Sequence, residues 1–264
     1  MDITDKTVVL TGATGGIGRA IARQLDAAGA RLILVGRNAE RLAALQRELE
    51  PDRHRIVRAD LSTAEGRDAV LQSAFATGID LLINNAGTNE FELFRSQSAA
   101  SIRDLVEINL LSPILICRAL LPILESRPVA GIVNIGSTFG SIGYPGFSAY
   151  SASKFGLRGF TEALRRELDD SSVRVSYVAP RATKTELNSD AVVAMNAELG
   201  TAMDDPDLVA TQVLRTIRGT TRSDRYIGWP EKLFVRINAL LPGIVDNSLR
   251  KQLPVIRRFA THKQ

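Results

Sequence analysis

A single cysteine, Cys117, stands among the 264 residues of the chain. One thiol excludes an intrachain disulfide and suits a reducing compartment, where it is expected to pack inside a helix. The opening residues, Met1-Asp2-Ile3-Thr4-Asp5-Lys6, form neither a basic leader nor an apolar signal core, which argues against secretion and for the cytoplasm. No uninterrupted apolar stretch approaches the ~20 residues that a bilayer-crossing helix needs. Neither a nucleic-acid recognition motif nor a sustained basic run occurs, so nucleic acid is not an expected partner. Also missing are a linker rich in Pro, Gly or Ser, a low-complexity tract and a repeat of solenoid period. These absences leave one soluble unit, and the 45% hydrophobic content is enough for a sheet covered on both faces. Lys plus Arg (33) exceed Asp plus Glu (29) only mildly, an excess that a polyanionic cofactor would suit as well as a nucleic acid or a membrane surface.

Short apolar runs at residues 7–10, 31–35, 55–59, 81–83, 131–135, 174–178 and 226–227 read as strands. Longer amphipathic segments separate most of them, the first a helix from about residue 18 to 28. Near-continuous apolar strands alternating with helices predict a single-domain, doubly wound Rossmann fold of the α/β class. Its central parallel sheet should have about seven strands, with helices on both faces. Residues 1–228 are expected to form the nucleotide-binding catalytic domain. Within it the pattern loosens at about 183–205, beyond the carboxyl end of the sixth strand, and that stretch reads as a substrate loop. Residues 229–264 read as an apolar and basic extension packed on the same domain.

Directly after the first strand comes Thr11-Gly12-Ala13-Thr14-Gly15-Gly16-Ile17-Gly18. Glycines permit positive φ and close backbone approach, and a helix amino end attracts a pyrophosphate. Gly12, Thr14, Gly15, Gly16, Ile17 and Gly18 are therefore candidate cofactor ligands. The second strand ends Leu34-Val35-Gly36-Arg37-Asn38, without the carboxylate that an NAD-selective site places against the ribose hydroxyls. Gly36 leaves room for a 2′-phosphate and Arg37 offers a guanidinium fork for it, which favours NADP(H) over NAD(H). Asn38 belongs to the same candidate set. Asp60, in Ala59-Asp60-Leu61 at the end of the third strand, suits either an adenine amine or a helix cap.

The segment Tyr150-Ser151-Ala152-Ser153-Lys154 places a phenol and an ammonium on one helix face if a helix begins near Tyr150. A nearby cation would pull the Tyr150 pKa down towards working pH, as a general acid and base requires. Ser137, at the end of the fifth strand, could hydrogen-bond a substrate oxygen.

With these motifs the chain resembles the classical short-chain dehydrogenase/reductase (SDR) family. The likeness runs to about Gly228 and comprises the loop 11–18, Asn84-Asn85-Ala86-Gly87, Asn109, Ser137, and Tyr150 with Lys154. It implies Tyr150 as proton donor, Lys154 as ligand of the ribose hydroxyls and depressor of the Tyr150 pKa, and Ser137 as the group orienting the carbonyl. Asn109 would hold a relay water, while Asn85, Ala86 and Gly87 would line the adenosine side; Leu61 beside Asp60 joins the cofactor set. Pro180, Thr183 and Thr185 would follow the nicotinamide carboxamide. One departure is Ala179-Pro180-Arg181, where the family has Pro-Gly. Arg181 and Lys184 could then meet an acidic group on the substrate. The implied reaction is NADPH-dependent reduction of a hydrophobic ketone or aldehyde, 3-oxoacyl or steroid-like. NAD-linked alcohol oxidation and a non-catalytic nucleotide sensor are the alternatives, and no metal is implied. The family likeness also implies a homodimer or homotetramer. The tail from Trp229 mixes basic and apolar side chains, which suits core or subunit packing, or a weak peripheral membrane contact. Prolines 242 and 254, expected to interrupt a long helix, favour packing.

Overall fold

Val8, Val9 and Leu10 are apolar without alternation, and such a run is stable only where both faces of its strand are covered. The computed structural model describes residues 1–219 and 223–261. Seven parallel strands, β1 (Thr7–Thr11), β2 (Arg31–Gly36), β3 (Arg55–Arg58), β4 (Leu81–Asn84), β5 (Ala130–Ile135), β6 (Val173–Ala179) and β7 (Arg225–Tyr226), lie in the order β3-β2-β1-β4-β5-β6-β7. Val8 sits in register between Leu32 and Leu81, and Asn134 between Asn84 and Tyr177. Alternate side chains enter opposite layers. Val8 and Leu10 join Leu25 of α1 (Gly16–Ala27), Leu42 of α2 (Ala39–Glu48) and Val213 of α8 (Pro206–Arg218). Val9 joins Val70 of α3 (Ala64–Thr77), Leu120 of α5 (Ser112–Glu125) and Leu164 of α6 (Ser148–Glu167). Cys117 is buried in that second layer on α5. The sheet is doubly wound as expected, and the order of connection reverses between β1 and β4, opening a crevice at their carboxyl ends.

Three expectations change. The stretch 183–205 is not all loop: α7 (Asp190–Glu198) forms there, capped by Ser189, whose side chain accepts from the Val192 N–H. Val192 and Met195 anchor it beside Phe147. Only one of the two prolines divides the tail as expected. After α9 (Glu231–Leu240), Pro242 opens α10 (Pro242–Thr261) at a position with no helical N–H to lose, and Pro254 lies inside α10. Pro254 faces solvent, so water can satisfy the carbonyl it frees. Finally, the helical run Ala99–Glu125, comprising α4 (Ala99–Val106), a π-type turn at 107–111 and α5, is long and apolar enough to cross a membrane by length and composition. Its polar interruptions hid this from a count of uninterrupted residues. In the fold Ile116, Leu120 and Leu124 of that run are buried against the sheet.

Candidate active site

The glycine loop is held from below. Thr11 at the end of β1 accepts the Asn85 and Ala86 N–H groups on its hydroxyl, each at 3.0 Å. Asn85 returns its side-chain amide to the Thr11 and Gly12 carbonyls, both at 3.0 Å. Gly12 has φ +63°, and a Cβ there would lie 2.7 Å from the Ala86 Cα. At Gly18 a Cβ would stand 2.1 Å from the Gly12 carbonyl oxygen. Gly18→Ala is therefore expected to lower stability by about 2–3 kcal/mol, the cost of overpacking outweighing the gain in helix propensity. Urea denaturation checks this, and an unchanged midpoint would refute the close approach.

The amino end of α1 has no side-chain cap at Gly15, so its first N–H groups are free for an anion. Thr185 packs over Gly16, whose Cβ would fall 2.6 Å from the Thr185 Cγ2, and Thr14 lies beside Gly36. Arg37 is exposed and enters no ion pair among the described residues. Asn38 caps α2 by accepting the Arg41 N–H at 2.8 Å. Asp60 accepts the Ser62 N–H and O–H, which holds its carboxyl below the ordinary range, while Thr63 takes the capping role on α3. Leu61 turns into the core. This open, uncapped cradle fits a dinucleotide pyrophosphate.

Tyr150 and Lys154 lie one turn apart on α6, both buried, and the Lys154 Nζ is 5.8 Å from the Tyr150 ring centre. The ammonium donates to the Ile135 carbonyl at 3.1 Å. Burial dominates both groups. It pushes the Tyr150 phenol up to about 12, against a hydrogen bond from Ser137, and draws Lys154 down to about 8. Without nucleotide, burial therefore sets the direction of the Tyr150 shift upward, where the sequence led to the expectation of a depression.

Ser137 follows β5 and caps a short 3₁₀ turn, accepting the Phe139 N–H at 3.1 Å. Tyr177, fully buried on β6, accepts the Ser137 N–H at 3.2 Å and reaches the Lys154 carbonyl. No sequence signal marked that brace. Asn109 in the π-type turn accepts the Thr88 N–H at 2.9 Å and donates to the Thr88 carbonyl at 2.8 Å and to Ser153 at 3.2 Å. Its side chain thereby clamps the chain beyond β4 to α6.

These groups meet at a cavity of about 340 Å³. Ile17, Asn85, Gly87, Ser137, Tyr150, Lys154, Pro180, Thr183 and Thr185 line it. So do the apolar side chains of Phe139, Phe147, Met195 and, from α9 and α10, Phe234, Ile244 and Val245. Phe139 stacks on Tyr144 at 4.7 Å, and Phe147 meets the Tyr150 ring edge-on at 6.0 Å. Pro180 accepts the Thr138 N–H at 2.9 Å.

Arg181 also reaches this wall, with its guanidinium already engaged. It pairs with Asp204 at 2.7 Å and Glu231 at 3.1 Å, and its side chain is 15% exposed. The suggestion that Arg181 meets an acidic substrate group is thereby corrected: two carboxylates of the fold neutralise it. Arg181→Ala should cost about 3 kcal/mol by leaving both unpaired in a mostly buried site. A thermal unfolding midpoint equal to wild type would contradict that role.

A phosphate cradle at the sheet switch point, with a buried Tyr–Lys pair and Ser137 beside it, has the make-up of a dinucleotide-dependent oxidoreductase of the C=O/CH–OH type. The short chain dehydrogenase family profile matches residues 6–195. Dehydrogenase/reductase SDR family member 7B of Bos taurus is 33% identical over 261 residues, covering 92% of this chain and 79% of that protein. A short-chain dehydrogenase from Streptomyces avermitilis superposes with a TM-score of 0.81 at 29% identity, covering 97% of this chain and 99% of that one. A short chain dehydrogenase from Burkholderia cenocepacia, solved in complex with NADP, gives 0.81 at 25% identity and covers 94% and 99%. The chain belongs to the short-chain dehydrogenase/reductase family.

Proposed function

We propose that the chain reduces a hydrophobic ketone or aldehyde to the alcohol with NADPH. The observation that carries this reading is the cavity itself, which sets the Tyr150 hydroxyl against an aromatic and aliphatic wall. When bound, the nicotinamide supplies the hydride. The Tyr150 hydroxyl, protonated at neutral pH, gives its proton to the carbonyl oxygen, and Ser137 holds that oxygen in line. Lys154 supplies positive charge beside the developing alkoxide and takes the ribose hydroxyls. The wall of Phe139, Phe147 and Met195 excludes water and selects an apolar substituent.

The choice of NADP(H) rests on Gly36 and the exposed Arg37; the Burkholderia neighbour, solved with NADP, agrees with it. Replacing Arg37→Asp should weaken NADPH binding relative to NADH by about tenfold or more, since a charge-assisted bond to phosphate is exchanged for repulsion. Fluorescence titration of both nucleotides measures the ratio, and an unchanged ratio would place the 2′-phosphate elsewhere. NADPH consumption, followed by absorbance against acetoacetyl thioesters, steroid ketones, quinones and small aldehydes, tests the reaction. Turnover confined to small polar aldehydes would refute the apolar assignment. Tight NADPH binding without turnover on any of them would favour a sensor. The exposed apolar side chains Val106, Leu111 and Phe155 support a homodimer or homotetramer built on the α4–α6 face, testable by light scattering.

A further inference from the structure

The corner between α9 and α10 leaves its apolar groups uncovered. Residues 239–244, Ala-Leu-Leu-Pro-Gly-Ile, are all exposed and none has a polar side chain. Leu240 is 80% exposed, Leu241 58% and Ile244 55%. Folded chains seldom present a run of this kind without a partner. Phe234 and Ile244 belong both to this surface and to the lining of the catalytic cavity, so the apolar corner continues into the chamber.

Charge identifies the partner. Residues 229–264 hold seven Lys or Arg and two Asp or Glu, against 33 and 29 in the whole chain. The remainder of the chain thus holds 26 and 27, and the net positive charge resides entirely in the tail. Lys232, Arg236, Arg250 and Lys251 are exposed on the two helices that make the corner, and no carboxylate pairs with them among the described residues. A second copy docked by the same face would oppose like charges to like. An anionic lipid surface satisfies both features, apolar residues entering the acyl boundary and basic ones meeting phosphates.

We propose that the α9–α10 corner docks this chain on anionic membranes. If the reductase reading above holds, the cavity then takes its carbonyl substrate from the lipid phase.

Co-sedimentation of the full chain with phosphatidylcholine vesicles, with and without phosphatidylglycerol at about a third of the lipid, is the test. Wild type should pellet with the anionic vesicles alone. The double change Leu240→Asp/Leu241→Asp should cut the bound fraction at least about tenfold, and Lys232→Glu/Arg236→Glu several-fold, with unfolding temperature and NADPH affinity unchanged. In the Trp229→Phe/Leu241→Trp variant the one tryptophan moves to the corner, and its emission should shift to the blue on adding anionic vesicles. Folded wild type that stays in the supernatant would overturn the proposal. So would binding indifferent to the corner changes, an unshifted corner tryptophan, or corner changes that only dissociate an oligomer. Vesicle binding needs no turnover, so an inactive chain that still binds overturns the reductase reading alone.

Discussion

Tyr150→Phe should bind NADPH as tightly as wild type and lose turnover by about 10²–10⁴-fold, the share that a positioned general acid contributes. The substitution removes one oxygen and keeps the ring. The ring meets Phe139 at 6.4 Å and Phe147 at 6.0 Å, both edge-on, and phenylalanine preserves those contacts. Folding and cavity shape should therefore survive, and the loss reports on the proton alone. Burial has pushed that hydroxyl up to about 12, which keeps it protonated across the neutral range. A donor of this kind is matched to reduction, whereas alcohol oxidation would first have to ionise it. Oxidation should accordingly rise with pH through the alkaline range while reduction does not. Absorbance assays in both directions, with fluorescence titration of NADPH, measure these effects. A Tyr150→Phe variant that retains turnover would move the proton donor elsewhere.

The sequence carried whatever depends on local pattern. The strands of the sheet fell within one or two residues of their predicted places because most are apolar runs too short to be a helix, and the switch-point loop followed from glycine spacing. Side chains whose roles depend on partners distant in the chain were not readable. Tyr177 stands behind Ser137 only because Gly136 has no Cβ, which would otherwise sit 2.0 Å from the Tyr177 ring. That fit pairs one strand end with another. Arg181 read as a free cation because its partners, Asp204 and Glu231, lie 23 and 50 residues away. The aromatic wall of Phe139, Tyr144 and Phe147 forms where a 3₁₀ turn folds back on the start of α6, and no periodicity announces it. The α7 helix was the nearest miss, since Ser189-Asp190 carries both a cap and a first-turn acid.

Lys154 makes the second large prediction, one in which stability and activity move in opposite directions. Its ammonium is buried and donates to the Ile135 carbonyl, and burial has drawn its pKa down to about 8. In the unfolded chain the same group titrates near 10.4. Between these values the unfolded state holds more protons than the folded one, so this group's contribution to stability rises with pH across that window. Below about pH 8 the full cost of the buried charge is present. Lys154→Met has similar length and no charge. Without nucleotide at pH 7 it should be more stable by roughly 2–3 kcal/mol, a rise of about 5 °C in Tm, and this gap should close towards pH 10. Turnover should meanwhile fall by at least about a hundredfold. In wild type, reduction should decline above about pH 8 as Lys154 loses its proton and its positive charge leaves the site. Differential scanning fluorimetry across pH, beside the NADPH assay, reads both halves. A Lys154→Met chain no more stable than wild type at pH 7 would mean that the carbonyl contact offsets desolvation. The alkaline decline in rate would then need another titrating group. A charge that destabilises the fold and is nevertheless kept at the cavity wall is what a site built for the reaction, and not for stability, should contain.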